Sequence, residues 1–303
     1  MSTARVRVSD SIELAYERFG DSADPAIVLV MGLGTQMIAW PDELCEDLAG
    51  RGFSVVRFDN RDVGESTHLT GVRAPRLVEI LSRRKPPPYT VDDMAADVVG
   101  LLDALHLDRV HLVGASLGGF IAQTVALQAP ERLHSLTLMM TSTGSRRVGQ
   151  ADARLLGRLL RGRVVRNREE AMDAVVETFR VIGSQGYALD EERLRDVGGR
   201  SFDRGYDRAG YLRQLSAATA QRNRTEGLRE LDLPTLVMHG FSDRLVRPSG
   251  GLALARAIPR ARFVGFNGMG HDLPRPLWPE FADHITAIAR RAQSPRDEPA
   301  RLA

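Results

Sequence analysis

The chain is poor in the features that would place it in several large functional classes. It has one cysteine, Cys45, in 303 residues. A lone thiol cannot build an intramolecular disulfide framework and is compatible with the cytoplasm, the location expected here. Lysine is almost missing: Lys85 stands alone, and arginine supplies the rest of 41 cations against 39 acids. The resulting net charge of +2 is close to balance, so no nucleic-acid partner is expected. No run of about 18 uncharged apolar residues occurs, which excludes an integral membrane helix. Met1–Val8 lacks an apolar h-region, so no Sec signal peptide is expected. Internal repeats and heptad runs are absent, as are metal-ligand clusters and nucleotide-binding loops. No metal and no organic cofactor is therefore expected, and the chain is read as a monomer or homodimer.

What the chain does have is an ordinary 43% apolar fraction, enough for a substantial core. Its apolar residues come in short runs separated by helical patterns. Arg5–Val8 and Ile12–Phe19 alternate as two strands joined at Ser9–Ser11. Ala26–Met31, Phe53–Phe58, Val110–Val113, Leu133–Met140, Pro234–His239 and Ala261–Phe266 read as buried strands. Helices are expected over Pro41–Ala49, from an N-cap at Thr90 to Leu105, over Ser116–Gln128, and over Pro279–Arg290. Residues His68–Tyr89 read as irregular. Strands alternating with helices imply an α/β fold with a mostly parallel sheet covered on both faces. The stretch from Gly144 to Glu230 differs. It is arginine-rich and helical, interrupted at Gly183–Gly186 and at Gly198–Gly199. The expected organisation is a core of residues 1–143 and 231–292, a helical insertion at 144–230, and a disordered polar tail at 293–303.

One motif carries chemistry. Val110–Val113 is followed by Gly114-Ala115-Ser116-Leu117-Gly118, a G-x-S-x-G between a strand and a helix. A serine on such a turn sits in strained backbone, and small neighbours let the turn close. The turn lifts the hydroxyl above the sheet and points the helix N-terminus at the oxygen being attacked. Such a serine needs a base, and the base needs a carboxylate. Of seven histidines, His271 follows Asn267-Gly268-Met269-Gly270, a loop after a strand. His111 and His239 lie in or at the ends of strands, where a structural histidine is expected. Asp243 lies just past the carboxyl end of Pro234–His239, where open α/β sheets place functional groups. The competing position, Thr141–Ser145, has no carboxylate.

The resulting order of Ser116, Asp243 and His271 is that of α/β-hydrolases. The chain resembles that family at Met31–Gly34, Asp59–Ser66, Gly114–Gly118, His239–Asp243 and Gly268–His271. Val30–Trp40 and Asp59–Asp62 look most like aclacinomycin methylesterase-type hydrolases. The resemblance implies an α/β-hydrolase fold with an inserted helical lid, and a catalytic triad of Ser116, His271 and Asp243. It also implies an oxyanion hole made by the Leu33 and Leu117 backbone N–H groups. Where many relatives carry His-Gly after the third strand, this chain has Met31-Gly32. Where they carry glycine it has Asp62, for which the sequence suggests no role.

The expected activity is hydrolysis of a small-molecule carboxylic ester through an acyl-enzyme. Thioester or lactone hydrolysis on the same triad is the alternative. Cofactor-free perhydrolysis, C–C cleavage and non-catalytic binding stand behind it. Serine at the elbow excludes haloalkane dehalogenase and epoxide hydrolase chemistry, which needs aspartate there. Substrate choice is expected from the insertion, through apolar residues such as Leu155, Leu156, Leu159, Leu160, Val164, Val165, Phe179 and Val181.

Overall fold

A computed structural model describes residues 3–152, 155 and 165–293. Eight strands form one sheet in the order β1-β2-β4-β3-β5-β6-β7-β8. β1 (Ala4–Arg7) and β2 (Glu13–Phe19) form an antiparallel edge. β3 (Ala26–Val30), β4 (Ser54–Phe58), β5 (Val110–Ala115), β6 (Leu133–Met139), β7 (Thr235–Gly240) and β8 (Ala261–Phe266) run parallel. Every residue of β3, β4, β5 and β7 is buried. Helices cover both faces, so the strands are mostly apolar, and the few polar side chains they carry, Ser54, Arg57, His111, Thr235 and His239, are buried with them.

One face carries α3 (Val91–Ala104), α4 (Leu117–Gln128) and α9 (Ser249–Ala257). The other carries α1 (Asp42–Gly50) and α10 (Trp278–Gln293). Thr90 caps α3 as expected: its Oγ1 accepts the Asp93 N–H at 3.2 Å, and Asp93 Oδ2 accepts the Thr90 N–H at 2.7 Å. Cys45 is buried on the inner face of α1, and burial pushes its thiol up to about 12.

Between β6 and β7 lie α5 (Arg168–Ile182), α6 (Glu191–Arg204), α7 (Arg208–Ala220) and the short α8 (Thr225–Arg229). Three expectations change. His68–Tyr89 is not wholly irregular, because α2 (Leu77–Ser82) forms within it and packs against α7. Gly198 and Gly199 do not interrupt a helix; they lie inside α6. A Cβ at Gly198 would stand 2.9 Å from Met172 Cα, so glycine there lets α6 approach α5 closely. The last helix runs on to Gln293, and the expected disordered tail beyond it falls outside the described residues, as do Leu156, Leu159, Leu160 and Val164. Leu155 is buried, and Val165, Phe179 and Val181 are half-buried. Among the described residues no helix is long and apolar enough to cross a membrane.

Candidate active site

Ser116 sits between β5 and α4 with φ 55° and ψ −116°, a left-handed conformation that costs a serine about 1–3 kcal/mol. Its neighbours show why the turn needs glycine. A Cβ at Gly118 would lie 2.1 Å from Val30 O, and one at Gly114 would lie 2.3 Å from Gly118 O. The strained turn is pinned on both sides. Ser116 N–H donates to Met139 O at 2.9 Å, and Ser116 O accepts the Thr141 hydroxyl at 2.8 Å.

The structure brings the three predicted side chains together from the ends of three strands. His271 Nε2 is 3.0 Å from Ser116 Oγ, and His271 Nδ1 is 2.7 Å from Asp243 Oδ2. An ionised carboxylate only accepts, so Nδ1 carries the ring proton and Nε2 is left to accept the serine hydroxyl. Asp243 is held in turn by Leu245 and Val246, whose N–H groups each reach Oδ1 at 2.8 Å. His239 lies close by but does other work. Burial keeps its imidazole neutral, and Nε2–H donates to Val246 O at 2.7 Å. His111 is likewise buried, its pKa pushed down to about 3 by desolvation, with Nδ1 at 2.8 Å from Ser135 Oγ.

Leu117 is the first residue of α4, so its N–H lacks an intrahelical partner. Leu33 follows Gly32, where a Cβ would stand 3.2 Å from Ser116 Cβ. Both backbone positions therefore border the serine. The loop that bears Leu33 is tied by Asn60, whose Nδ2 donates to Met31 O at 3.0 Å.

Several supporting residues were invisible in the sequence. The His271 loop leans on the end of α5: His271 N–H donates to Ile182 O at 2.8 Å, and Gly270 N–H to Ser184 Oγ at 2.9 Å. The Ser184 hydroxyl donates to Asp272 Oδ1 at 2.6 Å. Asp62, with no role in the sequence reading, is the buried partner of Arg213 on α7. Arg213 Nε reaches Asp62 Oδ2 at 2.8 Å, and a second guanidinium nitrogen reaches Oδ1 at 2.7 Å. No local signal marks these pairs, because Asp62 and Arg213 are 151 residues apart.

Asp62, His68 and Asp207 place ligand atoms within 4.8 Å of one another, the geometry of a possible cation site. The Arg213 guanidinium already bonds both carboxylates, reaching Asp207 Oδ2 at 3.1 Å. The positive charge those acids call for is thus supplied by the chain itself. A surface cleft of about 400 Å³ opens between α1 and α6, lined largely by charged groups including Asp42, Asp190 and Arg193; Ser116, Asp243 and His271 do not line it.

The sheet order, the strained serine turn and the three-residue contact all match one known architecture. A family model described as the alpha/beta hydrolase fold covers residues 25–274. The chain belongs to that family. Among its α/β hydrolase relatives is the rhodomycin D methylesterase of Streptomyces sp. (strain C5), 30% identical over 95% of this chain and 98% of the relative. The rhodomycin D methylesterase of Streptomyces peucetius is 29% identical over the same shares. The likeness to methylesterases read from the sequence is thereby borne out. Of solved structures, the enol-lactonase from Burkholderia xenovorans LB400 superposes with a TM-score of 0.72. It is 24% identical and spans 94% of this chain and 99% of its own. At that identity it speaks for the α/β hydrolase fold alone.

Proposed function

We propose that the protein is a serine esterase that cleaves a carboxylic ester, with Ser116 as nucleophile, His271 as general base and Asp243 as its partner. The observation that carries the reading is the unbroken contact from Asp243 through His271 to Ser116 on a strained strand-to-helix turn. As Ser116 Oγ attacks the ester carbonyl, His271 Nε2 takes the hydroxyl proton. Asp243 stabilises the imidazolium that forms. The Leu33 and Leu117 N–H groups receive the oxyanion, each worth about 3 kcal/mol of barrier. His271 then protonates the leaving alcohol, leaving an acyl-enzyme. A water that gives its proton to His271 hydrolyses the acyl-enzyme, releasing the acid and restoring the serine.

The methylesterase relatives support a methyl ester on a larger carboxylic acid as the substrate class. In this reading the helices between β6 and β7 form a cap over the serine, and its half-buried Phe179 and Val181 face the acyl group. The test is a panel of methyl and p-nitrophenyl esters, acyl-thioesters and lactones, run on the native chain and on Ser116→Ala. The expected result is methyl ester turnover that falls by about 10⁴-fold or more in the variant. Full turnover by Ser116→Ala would sink the reading, and a preference for lactone or thioester would move it to that substrate.

A further inference from the structure

The loop that would offer the Leu33 N–H lacks the histidine found in many relatives before its glycine. Something else must orient it. We infer that Gln214, on α7 of the insertion, is a positioning residue for the oxyanion loop. Its side chain is fully buried. Oε1 accepts the Gly34 N–H at 2.8 Å, and Nε2 donates to Arg61 O at 2.8 Å, so both ends of the amide are satisfied. Arg61 is itself anchored to α3 by Asp97, at 2.5 and 2.6 Å. The amide of Gln214 thus bridges two core loops from outside the core.

The geometry reaches the proposed donor through the two backbone torsions of Leu33 alone. The peptide between Leu33 and Gly34 is gripped at both ends. Gln214 holds its N–H, and the Thr35 hydroxyl donates to its carbonyl, Leu33 O, at 3.1 Å. With that plane fixed and Met31 O held by Asn60, the Leu33 N–H has little freedom left to turn. Gly34 has φ +62°, and a Cβ there would lie 2.5 Å from Tyr211 Cδ2, so the α7 ring also presses on the same turn. Removing Gln214 takes from the exposed Gly34 the protein partner of its N–H, so the peptide is free to rotate towards solvent. The donor is then misaimed, while the substrate pocket is untouched.

This inference rests on ester hydrolysis at Ser116. The experiment compares Gln214→Leu and Gln214→Glu with the native chain, using p-nitrophenyl acetate for turnover and phenylboronic acid as a tetrahedral analogue. A fluorophosphonate counts competent serines, so kcat is read per labelled site. Gln214→Leu is expected to lose about ten- to a hundredfold in kcat, with KM within about twofold. Affinity for the boronic acid should fall in parallel. Gln214→Glu keeps an acceptor for the Gly34 N–H and recovers part of the loss. A native kcat per labelled site in Gln214→Leu overturns the inference, and so does a rise in KM alone with boronic acid affinity unchanged. Should Gln214→Leu fail to fold, Thr35→Val frees the other end of the same peptide, and the same pair of readouts decides. A dead Ser116→Ala beside a fully active Gln214→Leu removes only this inference; an active Ser116→Ala removes the esterase reading as well.

Discussion

The core sheet and the helices between β6 and β7 both hold the three site residues in place, but by different physics. The sheet does it with apolar burial. β3, β5 and β7 have no exposed residue, and their carboxyl ends deliver the Leu33 loop, Ser116 and the Asp243 loop. The inserted helices do it with discrete polar grips on loops: Ser184 on Gly270, Ile182 on His271, Gln214 on Gly34 and Arg213 on Asp62. Burial is non-directional and tolerates small errors, whereas a hydrogen bond sets an angle. The core therefore decides whether the site exists, and the insertion decides how well it is aimed.

Perturbations separate the two regions, and they rank by size. His271→Ala leaves the sheet intact and removes the proposed base; turnover should drop by about 10⁴-fold or more while the melting temperature holds. An equal loss of stability would mean that the site and the core are not separable. Next comes the Asp62–Arg213 pair. Asp62→Ala leaves a guanidinium that is 2% exposed with Asp207 as its remaining acid partner, at a cost of up to about 3 kcal/mol. Chemical denaturation should show that loss, and Asp62→Asn with Arg213→Gln, which keeps a residue tolerant of φ 68° at position 62, should restore part of it. If the single variant is neutral, Asp207 alone suffices for Arg213 and the insertion is less dependent on Asp62 than its geometry suggests.

A smaller effect is expected at Ser184. Ser184→Ala removes two hydrogen bonds to the His271 loop, from the Gly270 N–H and to Asp272 Oδ1, about 1–2 kcal/mol of stability, and should lower kcat more than it raises KM. Identical changes in both constants would point to substrate contact instead. The effect that is smallest at neutral pH is a pH dependence that belongs to the core. His111 is neutral when folded, its pKa near 3, and titrates near 6.5 when unfolded. Below pH 6.5 the unfolded chain therefore binds a proton that the folded one refuses, and stability falls as pH drops towards 3. His111→Gln should flatten the slope of melting temperature against pH across that window, without altering turnover at neutral pH.

Legibility in the sequence follows the same division. The strands could be read because unbroken runs such as Ala26–Val30 signal burial on both faces, and the serine turn because its glycines lie within a few residues of the strain they relieve. Asp243 and His271 could be read because each sits just beyond a strand end. The insertion could not be read so far. Gly198 and Gly199 looked like breaks, since the α5 backbone that Gly198 accommodates and the Arg168 side chain that Gly199 accommodates lie elsewhere in the chain. Asp62 looked arbitrary, since its partner is 151 residues away. Gln214 on α7 and Ser184 just past α5 are ordinary polar residues of an arginine-rich stretch until the loops they hold are placed beside them.

The grips of Ile182, Ser184 and Gln214 share one property: each closes on a main-chain atom of a core loop. A peptide N–H is present whatever side chain the loop carries. The fastening therefore does not depend on most loop side chains, although Gly34 and Gly270 must stay without a Cβ, which would lie 2.5 Å from Tyr211 Cδ2 and 2.3 Å from Gly183 O, and part of the burden of constancy falls on a few positions in the insertion. For engineering, this marks where to cut. A chimera that takes its pocket-facing helix surfaces from another hydrolase, yet retains Ser184 and Gln214, would exchange substrates while keeping its chemistry aligned.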